Sequence, residues 1–412
     1  MTNFYNNTMK SYISILYILC SAIIFLYGCN DHQQFPEKSL LMYGDAQHTN
    51  YYEELRDLQQ PIYEKIPMAD TSGCTVPPLC VSSYQTILAT RNSRIVKVTA
   101  YQVEWQAQLD DSALVSGAMM CDNQQSLYAC TTDGHVYCFD KNGKRKWKKR
   151  ITTTSKKIFW ENIIPYENGI IVTHHQGEIY FVASDNGDFF RLYTTAHTLV
   201  GSPVVHENII IAGITTYGEG TDSLLIYSMT DKKAERIALA SHTITASPII
   251  AQSHIAIGAT QNRDGKDIPS IILMDKKGNT VHTAIPEATP RHISTNPDGD
   301  IFTVSYNIGI GEPISVVESF SFQGKKRWQM SFRFPISQPL YIGETIRAFI
   351  AQRGNAIGCY VLDDKGTLIR LIQVDEAPNI IQAPFVSPGG SVVIAPAEGN
   401  ILTRITAQKG LF

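Results

Sequence analysis

The sequence has little net charge and lacks the short motifs that mark common catalytic sites. Its 412 residues carry a formal net charge of −3, whereas a nucleic-acid-binding protein would be expected to carry a basic patch. The one basic run, Lys144–Arg150, is interpreted as a solvated outer strand rather than a binding stripe. No HExxH, GxSxG or GxxxxGKS/T motif occurs. These absences argue against a nucleic-acid partner and against a conventional enzyme.

One stretch resembles a phosphate loop or a calcium loop only superficially. Gly258–Lys266 is too long for a phosphate loop, and Asp267 replaces the hydroxyl residue that such a loop needs. With Asn262 and Asp264, Asp267 provides fewer oxygens than a full calcium loop requires. The stretch is therefore predicted to be a polar hairpin.

A pair of histidines could also be drawn as a metal site. His174 and His175 lie close to Glu178 in a strand-like segment. Adjacent strand residues point to opposite faces, so the two imidazoles should not converge on one ion. No metal or cofactor is expected.

The N-terminus does not belong to the predicted fold. Lys10 precedes the apolar run Tyr12–Leu26, which is too short to span a membrane comfortably. A charged start followed by an apolar run and small residues is typical of a secretory signal. The run ends Leu26-Tyr-Gly-Cys29, which resembles a bacterial lipobox, so Cys29 is the predicted lipid-attachment residue. We assign residues 1–28 to the signal peptide and 29–58 to a lipidated tether.

The sequence has no CxxC motif, which removes support for a zinc ribbon or a thioredoxin-like site. An exported protein permits disulfides, and Cys74 and Cys80 could close a small loop. A two-residue turn at Asp133-Gly134 would pair Cys130 with Tyr137, which predicts opposite faces for Cys130 and Cys138. The pairing of the six cysteines beyond the lipobox is left open by the sequence: Cys74, Cys80, Cys121, Cys130, Cys138 and Cys359.

The chain repeats a β-prone run followed by a tight turn. Starting from Gly143, the same element recurs at intervals of 44, 45, 46, 46, 42 and 44 residues, and a further copy precedes it at Ala100. A second marker, Gly201-Ser-Pro203 and Ala246-Ser-Pro248, keeps the same period. The phase-marking turn residues after Gly143 are Gly187, Lys232, Gly278, Gly324, Gly366 and Gly410.

These repeats predict an all-β, eight-bladed β-propeller over residues 59–412, since each unit offers four short strands. In the second unit the strands are predicted near Ala118–Cys121, Ser126–Thr131, His135–Phe139 and Arg145–Ile151. The last unit lacks an outer strand, and an unpaired edge would expose backbone donors and acceptors. The segment 60–66 is predicted to supply that strand, burying Ile62, Tyr63 and Ile66 against Ile401, Leu402 and Ile405.

With the repeats in register, the motif Asp140-Lys-Asn-Gly143-Lys-Arg-Lys-Trp147 resembles the PQQ-like propeller repeat. Gln323-Gly324-Lys-Lys-Arg-Trp328 repeats it, and Trp105 occupies the matching place in the first unit. The resemblance covers about residues 40–412, including the opening Met42–Asn50. The tryptophan set is incomplete, because the other matching positions hold Arg191, Arg236, His282 and Arg370.

Two groups of proteins share this repeat. The resemblance to quinoprotein dehydrogenases would imply PQQ, calcium and an adjacent-cysteine disulfide, but this chain has no Cys-Cys pair. The lipobox, the length and the eight units resemble more closely the BamB-type propeller lipoproteins of the outer-membrane β-barrel assembly machinery. That resemblance implies a non-catalytic scaffold for envelope proteins, anchored by lipid to the outer membrane on a face that the sequence leaves open. The alternatives are a propeller that binds a carbohydrate or small ligand and, less favoured, a PQQ-dependent dehydrogenase.

Three insertions lengthen consecutive units four to six, between the second and third strands of each. Because they occupy the same part of each unit, they should project from one face of the ring. Loops on a rigid scaffold commonly carry recognition, although neutral length drift explains them as well. The insertions are Ile214–Asp222, Gln261–Pro269 and Ile308–Pro313.

Overall fold

The computed structural model describes residues 49–407, apart from 54, 56, 57, 59, 60, 69–71, 100, 111, 112, 153–156, 218–220, 308–313, 337, 338, 354, 355 and 375–383. All regular structure among these residues is β-strand. The strands form eight separate antiparallel sheets, and each sheet is one blade of a ring. The predicted eight-bladed propeller is confirmed.

The first strand along the chain is β1 (Pro61–Pro67). Blade one is β2 (Leu79–Cys80), β3 (Thr86–Thr90), β4 (Arg94–Val98) and β5 (Val103–Gln108), and blade two is β6 (Met120–Cys121), β7 (Leu127–Cys130), β8 (His135–Phe139) and β9 (Arg145–Arg150). Blade three is β10 (Trp160–Tyr166), β11 (Gly169–His174), β12 (Glu178–Ala183) and β13 (Phe189–Thr194), and blade four is β14 (Thr198–His206), β15 (Ile209–Thr215), β16 (Ser223–Ser228) and β17 (Lys233–Ala238). Blade five is β18 (His242–Ile244), β19 (Ile249–Ala251), β20 (His254–Arg263), β21 (Lys266–Met274) and β22 (Thr280–Ala284), and blade six is β23 (Pro290–Thr295), β24 (Ile301–Asn307), β25 (Ile314–Phe320) and β26 (Lys326–Phe332). Blade seven is β27 (Tyr341–Ile342), β28 (Arg347–Arg353), β29 (Ala356–Leu362) and β30 (Leu368–Val374), and blade eight is β31 (Phe385–Val386), β32 (Val392–Ile394), β33 (Ile401–Ala407) and β1.

The repeated Asp-x-x-Gly element forms the turn between the third and fourth strands of a blade. In blade two, one carboxylate oxygen of Asp140 accepts hydrogen bonds from the backbone N–H groups of Asn142 and Lys144, both at 2.9 Å. Gly143 closes the turn with φ of 77°, a conformation that residues with a Cβ rarely adopt. Asp275 and Asp363 make the same pair of bonds in blades five and seven. The period of the sequence is thus the period of this turn.

Each repeat tryptophan joins its blade to the next one. The indole N–H of Trp105 donates to the backbone carbonyl of Lys141 at 3.0 Å, and its ring covers Gly143. A Cβ on Gly143 would lie only 2.5 Å from a ring carbon, so the contact requires glycine. Trp147 binds the Ser184 carbonyl and covers Gly187, and Trp328 binds the Asp364 carbonyl and covers Gly366. Where no tryptophan is present, Gly278 lies against Ile237 and Gly324 against the backbone of Thr283.

The two ends of the described chain meet in blade eight. β1 pairs antiparallel with β33 along its full length, from Pro61 opposite Ala407 to Pro67 opposite Ile401. The predicted closure by the N-terminal segment is therefore confirmed. Its predicted burial was wrong in part: Ile62 and Tyr63 are each 47% exposed, because on this outer strand only Ile66, which is 2% exposed, reaches the core.

A buried arginine crosses the closing strands. Arg404 on β33 donates from Nη1 to the Glu64 carboxylate on β1 at 3.0 Å. Its guanidinium lies 6.0 Å from the ring centre of Tyr84 in blade one. Among the described residues, its Nε and Nη2 have no hydrogen-bond acceptor.

Part of the segment assigned to the tether packs against the ring. Tyr51 forms a parallel bridge with Ile342, the last residue of β27. Tyr52, Leu55 and Leu58 are buried in the core shared by blades seven and eight. Tyr52, Leu55 and Leu58, which the sequence assigned to the tether, therefore fill part of the interior of the ring.

The strand register around Cys130 and Cys138 differs from the one that the sequence predicted. All six described cysteines are buried, and none of them forms a disulfide. In blade two, Cys130 pairs with Val136 and Cys138 with Tyr128, one residue away from the predicted register. The reason is that the turn places three residues, ending in Gly134, between Thr131 and His135. Cys130 and Cys138 consequently share a face, contrary to the prediction.

Candidate functional site

The first strands of the blades surround the axis of the ring. β10 contacts β14, β14 contacts β19, β19 contacts β23, and β23 contacts β27. Serine hydroxyls link several of these strands: the backbone N–H of Trp160 donates to Ser116, that of Asn162 to Ser202, and that of Ser202 to Ser247, each at 3.2 Å. Two of these serines belong to the periodic Ser-Pro marker. That marker is therefore explained by contacts between blades.

The carboxyl group of Glu161, in this inner layer, has a raised pKa. Glu161 lies in a bulge of β10, between Trp160 and Ile163. Burial raises the pKa of its carboxyl to about 7, and a hydrogen bond with Ser202 opposes the increase. A carboxyl group with this pKa is largely neutral below pH 7.

Near blades five to seven, Asn50 packs against the inner layer. Asn50 is 2% exposed and lines, with Ser247, Arg291, His292 and Pro339, a cavity of about 20 Å³. That volume holds about one water molecule. It is far below the several hundred Å³ of a small-molecule site.

These inner residues do not suit PQQ with a divalent cation. Calcium takes six to eight oxygen ligands, mostly carboxylates and carbonyls. Glu161 supplies one carboxyl with a raised pKa, and the described residues contain no group of three or more His, Cys, Asp or Glu that could hold a metal.

The histidine pair forms a structural network in blade three. His174 is fully buried, and its Nε2 lies 2.9 Å from one carboxylate oxygen of Glu178. The other oxygen of Glu178 accepts a hydrogen bond from Arg191. The Trp160 ring packs edge-on against His174 at 5.3 Å. Burial lowers the pKa of His174, and Glu178 opposes the decrease. The sequence did not predict this burial, because the strand pattern alone does not show which face of β11 is covered.

The blade-five insertion lies within the described residues, and the blade-four insertion lies within them apart from 218–220. In blade five, β20 and β21 form a long hairpin whose last pair is Arg263 and Lys266, and an amide N–H of Asn262 donates to Asp267 at 3.1 Å. The predicted polar hairpin is thus present. In blade four, Asp222 accepts bonds from the backbone of Thr216 and Ile244. Both insertions join second and third strands, so they leave the ring at the same face, and the third, 308–313, lies outside the described residues.

Exposed apolar side chains are concentrated away from the axis. None of the described first strands carries a large exposed apolar residue. The outer strands carry Ile62, Tyr63, Phe189, Phe190, Val281, Leu368, Ile369 and Leu371, the loops carry Tyr84, Tyr101, Phe159, Tyr217 and Ile285, and the third strand of blade eight carries Ile401. This distribution fits contacts with large partners better than an axial ligand site.

The basic run forms β9, the outer strand of blade two, as predicted. Arg145 and Lys148 both bind Asp110, at 2.9 and 2.8 Å, and their hydrogen bonds lower the pKa of that carboxyl. Lys149 pairs with Asp188 of blade three at 3.1 Å. A polar hollow of about 760 Å³ lies beside Lys148, lined by the loop that starts at Arg91 and by the end of β5. Part of the basic charge is therefore neutralised by neighbouring blades.

The lipobox and Cys29 lie outside the described residues. Among the residues that are described, no helix has the length and apolar character needed to cross a bilayer.

Comparison with known proteins places the fold but gives no sequence family. No family model and no curated protein sequence matches the chain. The structure is similar to that of BamB from Moraxella catarrhalis, with a TM-score of 0.59 at 15% identity, over 85% of this chain and 99% of that one.

Two solved enzymes have the same fold. A europium-containing methanol dehydrogenase gives a TM-score of 0.64 at 10% identity, covering 88% of this chain and 90% of that one. The quinohemoprotein alcohol dehydrogenase of Comamonas testosteroni gives 0.65 at 10% identity, covering 92% and 82%. The expected resemblance to BamB-type and PQQ-type propellers is confirmed for the fold.

Proposed function

We propose that the chain is a non-catalytic, lipid-anchored propeller that binds other proteins in a bacterial cell envelope, in the assembly of outer-membrane proteins. The observation that carries the proposal is the distribution of exposed apolar side chains, which lie on outer strands and loops and not on the first strands around the axis. Such surfaces on soluble domains mark contacts with proteins or membranes. The fold shared with BamB supports the same role.

Lipid attachment at Cys29 is the second part of the proposal. The cysteine directly follows the apolar run of the signal, and a lipidated residue there would hold the ring close to the membrane through the chain up to residue 48. Metabolic labelling with a clickable fatty acid tests it. We expect label in the wild type and none in Cys29→Ala; equal labelling of both would contradict it.

Photo-crosslinking in cells tests the scaffold itself. A photoreactive amino acid is placed at Phe190 on an outer strand, at Tyr217 in the blade-four insertion, and at Ser247 in the inner layer as the matched control. We expect protein adducts from the first two positions and none from Ser247. Adducts from Ser247 alone, or from no position, would refute a scaffold that works through its rim and loops.

The polar hollow beside Lys148 favours one second candidate, a propeller that binds a carbohydrate or another polar small ligand. Its volume of about 760 Å³ lies within the range of small-molecule sites, although its surroundings are polar rather than apolar. A glycan array separates the two functions. Saturable glycan binding that Lys148→Ala abolishes, without crosslinks from Phe190 or Tyr217, would favour the ligand-binding protein.

A further inference from the structure

The outer strands of the ring differ in how their free edges are protected. An outer strand presents unpaired backbone N–H and C=O groups, and proteins usually shield such edges with lysine, other charges, proline or a bulge. β9 has five basic residues in six, and β1 has proline at both ends with Glu64 and Lys65 between them. β5, β17 and β26 also carry Lys, Glu or both. Most blades therefore follow the rule.

β30 of blade seven does not. Its sequence, LIRLIQV, contains no lysine, acidic residue or proline, and five of its seven residues are aliphatic. Leu368, Ile369 and Leu371 are 40%, 42% and 49% exposed. A bulge interrupts its pairing with β29, but β5, β9, β22 and β26 have a bulge as well. The difference lies in the side chains.

The single charge of β30 also has no ion-pair partner among the described residues. No described carboxylate lies within ion-pair distance of Arg370, on a strand that otherwise has only aliphatic and amide side chains. The comparable strand of blade three, β13, also has one charge, but its Arg191 binds Glu178 at 3.0 Å. The exposed Phe190 of β13 packs on Phe181 of its own blade at 5.1 Å. Among the described outer strands, only β30 has both an aliphatic edge and a cationic side chain, Arg370, that is available to another molecule.

We propose that the edge of β30 accepts an extended strand from an envelope protein, which pairs as a fifth strand of blade seven. The proposal rests on the scaffold function and names its kind of partner. Strand addition takes its affinity from main-chain hydrogen bonds and its specificity from alternate side chains. Beyond the bulge, Arg370 to Val374 pair regularly with β29, so this half of β30 offers a straight edge.

The side chains of β30 define the partner's chemistry. Leu371 and Gln373 point to one face, and Arg370, Ile372 and Val374 to the other, because strand residues alternate. Leu371 pairs with Tyr360, whose ring stacks on Phe349 with centres 4.9 Å apart. The partner strand therefore carries apolar residues opposite Leu371 and an acidic residue within reach of Arg370.

Peptide binding to the full mature chain tests the proposal. The probe is a fluorescent seven-residue peptide of alternating valine and threonine with one central glutamate; matched peptides carry a central lysine or N-methylated backbone amides. We expect saturable binding of the glutamate peptide, about threefold weaker binding of the lysine peptide, and no binding of the N-methylated one. Hydrogen exchange should slow at the amides of 370–374.

The variant Ile369→Lys/Leu371→Lys places lysines on the edge and should weaken binding at least about tenfold. Val281→Lys, on the outer strand β22 and 43% exposed, is the matched control and should bind as the wild type does. Thermal melts establish that both variants are folded. Equal loss in both, or protection outside 370–374, would overturn the assignment to β30.

Two further results would also overturn the proposal, and neither touches the scaffold function. Absence of saturable peptide binding, with crosslinks still formed from Phe190 and Tyr217, would leave a scaffold that does not use β30. A concentration-dependent dimer in sedimentation, removed by the double lysine variant, would show that the occupant of the edge is a second copy of this chain.

Discussion

Blade two and blade eight have the same four-stranded sheet but are held together in different ways. Blade two is continuous in sequence and uses the repeated elements: the Asp140 turn and Trp147, which covers the next blade's Gly187. Blade eight takes its outer strand from the other end of the described chain, has no tryptophan, and is crossed by the buried Arg404. The contacts that join consecutive blades recur around the ring, whereas blade eight is closed by contacts that occur once among the described blades.

This difference decides where the ring is vulnerable. A repeated contact can be lost at one place while its counterparts remain in other blades. A closing contact has no counterpart, so its loss opens the ring and frees a sheet edge. The largest effect is therefore expected from loss of β1, the strand that closes blade eight.

Deleting residues 30–70 should prevent stable folding. The deletion removes β1, and with it seven paired residues and the buried side chain of Ile66. It also removes the buried residues Tyr52, Leu55 and Leu58. Burial of each such side chain stabilises a fold by roughly 1.5–3 kcal/mol, and a whole domain has only about 5–15 kcal/mol. Circular dichroism and thermal melts would measure the loss.

Two shorter deletions make the comparison sharper. Deleting 30–58 keeps β1 but removes Tyr52, Leu55 and Leu58, so we expect a folded ring destabilised by roughly 5 kcal/mol. Deleting 30–48 removes none of the described residues and should leave the melting temperature unchanged. If all three truncations melt alike, the N-terminal segment does not close the ring.

The sequence predicted the repeated part of this molecule well, for a physical reason. A turn that needs Asp to cap it and Gly at positive φ leaves similar letters in most units, and their recurrence makes the period visible. The missing last strand was also predictable, since a propeller with an open edge is unfavourable. The register of Cys130 was missed because Asp-Gly fits both a two-residue and a three-residue hairpin turn.

The surface was less predictable than the fold. Composition shows that LIRLIQV is apolar, but only the sheet order places it at an edge, where its exposure matters. The packing of Leu55 and Leu58 was missed because single apolar residues in a polar segment have no period. The burial of His174 was also missed, because it depends on Trp160, which comes from a different strand.

In blade two, Trp147→Ala should destabilise the ring by roughly 3–5 kcal/mol, as expected for a large buried aromatic residue. Trp147 is 8% exposed and donates to the Ser184 carbonyl. Trp105→Ala is the matched variant: it removes the same contact with the next blade, but Trp105 is less deeply buried. Chemical denaturation should show a larger loss for Trp147. An equal loss at the two positions would mean that the hydrogen bond, and not burial, carries the contact.

The stability of the ring should also depend on pH, through the carboxyl group of Glu161 in the inner layer. The pKa of Glu161 is about 7 in the folded chain and near 4.5 ordinarily. As the pH rises from 4.5 to 7, the unfolded chain loses this proton while the folded chain keeps it, so stability falls with rising pH. Glu161→Gln should therefore stabilise the ring at pH 8 by roughly 3 kcal/mol and change little at pH 4. Glu235→Gln on the exposed strand β17 is the control; a pH-independent effect at Glu161 would contradict the assignment.

The smallest expected effects come from the ion pair of blade eight, and there the sign is informative. Arg404 has 2% of its side chain exposed, whereas Glu64 has 41%, so removing one partner differs from removing the other. Glu64→Gln leaves a buried guanidinium without its carboxylate and should cost roughly 1–2 kcal/mol. Arg404→Met removes two nitrogens that have no acceptor among the described residues and leaves Glu64 free to contact water, so it should be neutral or stabilising. Urea denaturation of both variants measures the contrast. If Arg404→Met is the more damaging change, then the guanidinium stabilises the closing blade through Tyr84 and its other neighbours rather than through Glu64.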